Sequence, residues 1–310
     1  MTITLPATGD VRSGPRLRIA FVAPARYPIR EPYAGGLEAF CHTMVMALRE
    51  EGHDVDFFAA KGSDGNVKEY ELPGVDWGAQ PEDATDTTYP AGEKEREERA
   101  FLRLRSYLVE QQYDVVHNNS LSPAMFPSVH SPEPLPMLTT LHTPQLAEIQ
   151  QAVDAAGQLA GRFAAVSTTT SRSWCMPTPV EVIPNGVNVR RWAFGPGGDG
   201  AVWFGRIVPE KGLHLAMDAC RLLGLPLTIA GRKGEHAYFQ EQIAPRLDGR
   251  LIRWVGELSH AELRGLVSRH AVCVVTPRWE EPFGLVAFEA MSCGTPVAAF
   301  DLSLIHISEP

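Results

Sequence analysis

No apolar run in this chain reaches the roughly twenty residues that a membrane-crossing helix needs. The opening T-I-T-L-P-A-T-G-D-V has neither the charged nor the apolar region of a signal peptide, so the expected compartment is the cytoplasm. Cysteine is scarce. Cys41, Cys175, Cys220, Cys273 and Cys293 are scattered, odd in number and never spaced Cys-x-x-Cys. That excludes a disulfide framework or a zinc site and leaves small core hydrophobes in a reducing compartment. Positive charge is in deficit, with a net charge of -9 over 310 residues, which argues against nucleic acid as a partner. No solenoid, collagen or coiled-coil repeat is present. The first strand runs into A-P-A-R-Y-P and not into Gly-x-Gly-x-x-Gly, which weighs against a nicotinamide-binding enzyme.

What is there is alternation. Short apolar runs at 17–24, 54–60, 114–118, 137–142, 162–167 and 180–184 read as strands. Helical periodicity covers 37–51, closed by Gly52, then 93–111 and 145–156. In the second of these helices, Arg96, Arg99, Arg103 and Arg105 lie among four glutamates and read as a solvated face. The segment 61–90 is longer than most connections, hence functional or mobile. The second half repeats the scheme, with strands at 201–205, 227–231, 252–256, 271–277 and 296–300 and helices at 212–223, 235–246, 259–268 and 285–293. The length predicts about two domains. Their pattern predicts an α/β architecture: two Rossmann-like, doubly wound parallel sheets with the ligand in the cleft outside the strands' carboxyl ends. The expected division is a disordered leader 1–16, a first domain 17–185, a second domain 186–301 and a tail 302–310.

The chemistry concentrates in E-E-P-F-G-L-V-A-F-E-A-M-S-C-G-T-P-V-A-A-F, residues 280–300. Glu289 is the only charge inside an otherwise apolar short helix, and a buried carboxylate calls for a partner. Glu281 precedes the helix, beside N–H groups at Phe283, Gly284 and Leu285 that have no intrahelical acceptor and favour an anion. About five residues, roughly 7–8 Å of helical rise, separate the helix mouth from Glu289. Two carboxylates with an anion site between them suit a nucleotide sugar. Upstream, A-V-W-F-G-R-I-V-P-E-K-G-L sets Arg206 and Lys211 at the start of a helix, two cations suited to a diphosphate. Arg232 ends the next strand and reaches either the ligand or solvent.

These stretches resemble a known family. E-P-F-G-L-V-A-F-E with A-M-S-C-G-T-P-V is similar to the Glu-x7-Glu signature of retaining GT-B glycosyltransferases of the GT4 type, and G-R-I-V-P-E-K-G to that family's diphosphate-binding element. The resemblance spans roughly 17–301. It implies that Arg206 and Lys211 hold the donor diphosphate, Glu281 the donor-sugar hydroxyls and Glu289 the ribose. It further implies that Gly256 and Leu258 in W-V-G-E-L line the base pocket, largely through backbone groups. Gly35 and Gly36 in A-G-G-L-E match the family's Gly-Gly loop, His142 in T-L-H-T-P its cleft histidine, and I-P-N-G-V at 183–187 its interdomain hinge. His117 in V-V-H-N-N ends another strand with weaker support.

The expected activity is metal-independent, retaining transfer of a hexose-like sugar from a UDP- or GDP-linked donor. The acceptor is left open among a sugar, a lipid-linked sugar and a small molecule. Glu281, His142, Arg206 and Lys211 are the candidate catalytic residues, and no cofactor beyond the donor is expected. A nucleotide-sugar epimerase of the same architecture and an inactive nucleotide-sugar-binding fragment are the alternatives. After Asp301 the family continues with a Gly-rich turn and further elements, whereas here L-S-L-I-H-I-S-E-P follows. Leu302–Pro310 therefore reads as foreign to the fold and the second domain as incomplete, with apolar surface left exposed on that side.

Overall fold

The computed structural model describes residues 14–78, 85–86 and 88–301. The tail 302–310 and most of the leader lie outside them. Two parallel sheets carry the described chain. The first has the order β2-β1-β3-β4-β5-β6, with β1 Arg18–Val22, β2 Asp54–Phe58, β3 Val115–Asn118, β4 Met137–Leu141, β5 Arg162–Ala165 and β6 Val180–Val182. The second has the order β11-β10-β7-β8-β9, with β7 Ala201–Phe204, β8 Leu227–Ala230, β9 Ile252–Trp254, β10 Val272–Val275 and β11 Val297–Ala299. The strand order reverses between β1 and β3 and again between β7 and β10. At such a switch point the connections leave on opposite faces and open a crevice at the carboxyl edge.

Strand alternation explains why helices cover both faces of each sheet. Ile19 and Phe21 of β1 pack with Cys41 and Val45 of α1 (Gly36–Glu50). Ala20 and Val22 point the other way, into a core with Phe101, Leu104 and Leu108 of α2 (Glu93–Glu110) and Val153 of α3 (Ala147–Ala156). In the second sheet, Ala201 and Trp203 pack on Leu213, Met217 and Cys220 of α5 (Leu213–Leu223). Val202 and Phe204 face Val267 of α7 (His260–Val267) and Ala290 of α8 (Leu285–Ser292).

Three details depart from the sequence reading, and one short helix lay outside it. Thr168–Arg172 forms a short helix, α4, although three consecutive threonines disfavour one; the Ser167 hydroxyl caps it by accepting from the Thr170 N–H at 3.1 Å. The helix expected over 235–246 is broken into α6 (His236–Tyr238), a π-turn over Phe239–Ile243 and a 3-10 turn over Ala244–Arg246, because Pro245 has no N–H to continue the ladder. Arg105 is not on a solvated face: it is fully buried, its guanidinium donating to the Met125 and Glu133 carbonyls and the Ser131 hydroxyl. Four cysteines are buried as expected, but Cys175 is exposed.

Candidate active site in the cleft

The last strand of the first sheet ends at Val182 and the first of the second begins at Ala201, with I-P-N-G-V exposed for most of its length in the connection. The carboxyl edges of the two sheets meet along a line of contacts that the sequence separates widely. Gly35 is the N-cap of α1. A Cβ placed there would lie 3.1 Å from Glu38 Oε2 and 3.3 Å from Arg206 Cδ, so only glycine fits without a shift. A Cβ on Gly36 would lie 3.6 Å from Leu285, the first residue of α8. The Gly-Gly loop of the first sheet thus faces both Arg206 and the start of α8 in the second.

Arg206 leaves the end of β7 just after Gly205, and Arg232 leaves the end of β8 just after Gly231. The two strand ends approach so closely that a Cβ on Gly231, at φ +140°, would sit 1.8 Å from the Gly205 carbonyl oxygen. This brings the guanidiniums together, and both hold Asp86 of the first-half loop. Arg206 Nη1 donates to Asp86 Oδ2, and Arg232 Nη2 donates to Asp86 Oδ1 at 2.8 Å. Arg232 also donates to the Ala34 carbonyl at 3.3 Å and lies 4.7 Å from the centroid of the Tyr27 ring. It reaches the first half of the molecule and not solvent. Burial alone would raise the Asp86 carboxyl, but the two guanidiniums outweigh it and hold Asp86 below the usual range. Tyr27 donates to Thr85 O at 3.0 Å and to Asp86 Oδ1 at 3.1 Å, and burial pushes its phenol up to about 12. Glu38, buried beside Arg206, is raised by burial, with the arginine opposing the shift.

Lys211 ends a 3-10 turn, Pro209–Lys211, before α5, and its ammonium is ion-paired with Glu281. Trp279 Nε1 donates to the same carboxylate at 3.0 Å. The cation and the carboxylate expected on different parts of the donor are therefore direct partners. Gly284, at φ 80°, is the N-cap of α8. The N–H groups of Phe283, Gly284 and Leu285 have no acceptor among the described residues. The Phe283 side chain is buried and stacks on Phe288 at 4.9 Å, so only its backbone is available to a ligand.

The partner expected for Glu289 is not there: its carboxyl has no hydrogen-bond or ionic partner among the described residues. The side chain is half-buried, and lost hydration pushes the acid up to about 8 instead. Gly256, at φ 84°, accepts from the Gly231 N–H at 2.8 Å, while Leu258 packs into the core beside α7. Among the described residues, neither is hydrogen-bonded to Arg206, Lys211, Glu281 or Glu289.

His142 stands on the first-half wall just beyond β4, its ring 4.7 Å from Phe40 of α1. Nε2 lies 2.8 Å from Asn119 Oδ1. Burial and the neighbouring His117 push the imidazole down to about 3. His117 is 2.8 Å from Thr140 Oγ1 and is lowered to about 4 by burial, a neutral histidine packed in the wall.

Sequence reasoning missed Asp86, Tyr27, Glu38 and Asn119. The long 61–90 segment and the position of Asn119 right after a strand at a switch point were the signals available.

Comparison with known proteins bears on the family and the fold. The Glycosyltransferase Family 4 model matches residues 34–191 and the Glycosyl transferases group 1 model residues 196–305. The glycogen synthase of Mycobacterium tuberculosis is 37% identical over 133 residues, 40% of this chain and only 32% of that relative's length. The phosphatidyl-myo-inositol mannosyltransferase of Mycolicibacterium smegmatis is 25% identical over 92% of this chain and 76% of its own. Among solved structures, a sucrose-phosphate synthase from Thermosynechococcus elongatus superposes with TM-score 0.68 at 22% identity, over 93% of this chain and 82% of that one. Anabaena HepE in complex with UDP-glucose does so with TM-score 0.65 at 18% identity, over 95% and 84%. These likenesses establish the GT-B fold, and a family model that spans over half of the residues places the chain in glycosyltransferase family 4.

Proposed function

We propose that this chain is a retaining, metal-independent glycosyltransferase that moves a hexose-like sugar from a UDP- or GDP-linked donor to a hydroxyl acceptor. The observation that carries the reading is the convergence of Arg206 and Arg232 on a single carboxylate. Two guanidiniums aimed at one anion, with a helix mouth whose three N–H groups have no acceptor among the described residues, form a site suited to a diphosphate. Asp86 stands there as the internal anion, and the donor's diphosphate takes its place. A relative named a mannosyltransferase, another named a glycogen synthase and a fold neighbour complexed with UDP-glucose support the donor class.

In this reading Arg206, Arg232 and the α8 mouth stabilise the charge that builds on the departing diphosphate. Glu281, oriented by Lys211 and Trp279, accepts from donor-sugar hydroxyls. Glu289 meets the ribose, and Gly256 offers backbone to the base. No side chain is set as a nucleophile. The anomeric carbon–phosphate oxygen bond breaks, and the acceptor oxygen bonds to that carbon on the same face. The acceptor's proton passes to the leaving phosphate oxygen, so the products are a glycoside and a nucleoside diphosphate.

The test is nucleoside-diphosphate release from UDP-glucose or GDP-mannose across a panel of hydroxyl acceptors, with and without EDTA, and NMR of the product's anomeric centre. Release should require acceptor, survive EDTA and give the donor's anomeric configuration. Acceptor-independent epimerisation, or an inverted product, would overturn the assignment.

A further inference from the structure

Asn119 is 1% exposed and directly follows β3 at the switch point of the first sheet, its backbone N–H donating to Val22 O at 2.8 Å. Its side-chain amide bridges two histidines. Nδ2 donates to the His117 backbone carbonyl at 3.3 Å, and Oδ1 stands 2.8 Å from His142 Nε2. A carbonyl has no hydrogen to give, so the amide's NH2 end must face His117. Its oxygen then faces His142 and can only accept, which requires the proton of His142 to sit on Nε2. The ring is held edge-on by Phe40, and the surroundings keep it uncharged. Nδ1 has no hydrogen-bond partner among the described residues.

We infer that Asn119 is a positioning residue that fixes His142 as the neutral Nε2–H tautomer and so reserves Nδ1 as an acceptor for a substrate hydroxyl. This deepens the transferase reading and rests on it for the substrate. An acceptor nitrogen cannot serve an ether or carbonyl oxygen, so the wall selects for a group that carries a hydrogen. The titratable group that acts on His142 from the neighbouring strand is His117, itself neutral, so the tautomer should hold across the working pH range.

The test begins without substrate. In the full chain labelled with nitrogen-15 histidine, His142 (assigned by the signals lost in His142→Gln) should show a bare Nδ1 and a protonated Nε2, unchanged from pH 5.5 to 8.5. Asn119→Ala should release the tautomer to an averaged signal. It should also lower turnover of UDP-glucose about tenfold, the scale of one lost hydrogen bond, with little change in KM. Asn119→Asp keeps an acceptor on Nε2 but adds a charge, so His142 should begin to titrate inside that pH window. A proton on Nδ1 in the parent, or a single Nε2–H tautomer persisting in Asn119→Ala, would overturn the inference. So would a lost tautomer with unchanged turnover. A parent that releases no nucleoside diphosphate would sink the transferase reading while the spectra still decide the role of Asn119.

Discussion

At the scale of single residues, Glu289 separates what the sequence could say from what it could not. Its place in an apolar helix marked it as a carboxylate drawn out of water, and the folded side chain is half-buried. Whether a partner waited for it depended on neighbours brought in by folding, among them Cys273 and Cys293, which feel its charge. With no hydrogen-bond or ionic partner among the described residues, the acid is raised to about 8 by burial. The folded chain therefore keeps a proton that the unfolded chain gives up from the ordinary carboxylate range upward. Stability contributed by protonated Glu289 is present at low pH and is lost as pH rises towards and through about 8, with a slope of at most about 1.4 kcal/mol per pH unit. Glu289→Gln should leave the melting temperature near pH 5 almost unchanged and raise it at pH 8.5 relative to the parent. Parallel melting curves at both pH values would remove the claim. The places of Arg206 after a strand, and of Lys211 and Glu281 before helices, were legible because strand ends and helix starts are local features. That Lys211 pairs with Glu281, 70 residues away, was not.

Elements were easier to read, because hydrophobic alternation and periodicity repeat over many residues. All eleven strands and the long helices of the described chain stand within a few residues of their expected positions. The failure was a local contest that periodicity does not register, Pro245 against a helical pattern; the serine-capped turn of the threonine run was not read at all. The glycines closing β7 and β8 belong to this scale. Their spacing was visible as strand ends, but their need to be glycine comes from two backbones touching. Gly231→Ala should therefore destabilise by about 1–3 kcal/mol from backbone strain alone, with the overlap on Gly205 adding to it. Thermal unfolding is the measurement. A Tm within a degree of the parent's would mean that the strand ends yield more easily than their geometry implies.

For the whole molecule, the two-sheet architecture followed from the alternation, whereas the contacts across the cleft did not. Arg206 meets Asp86 across 120 residues and Arg232 meets Ala34 across 198, separations over which no sequence pattern carries information. On the proposed function, the hold of Asp86 on both arginines would make nucleotide binding an exchange of one anion for another, and not an addition of charge to bare cations. The carboxylate is a competitor tethered at a fixed effective concentration, so diluting the protein does not weaken it. Salt screens the outgoing pair and the incoming pair alike, so the two effects largely cancel. The affinity of the parent for UDP should consequently fall only shallowly between 50 and 300 mM salt by calorimetry. Asp86→Asn should bind several-fold more tightly at the low end and lose that advantage steeply as salt rises. Equal slopes for the two proteins would mean that the aspartate gives way before the nucleotide arrives. Unequal slopes would make the ionic strength of the medium a gauge of how firmly the molecule holds its own counter-ion.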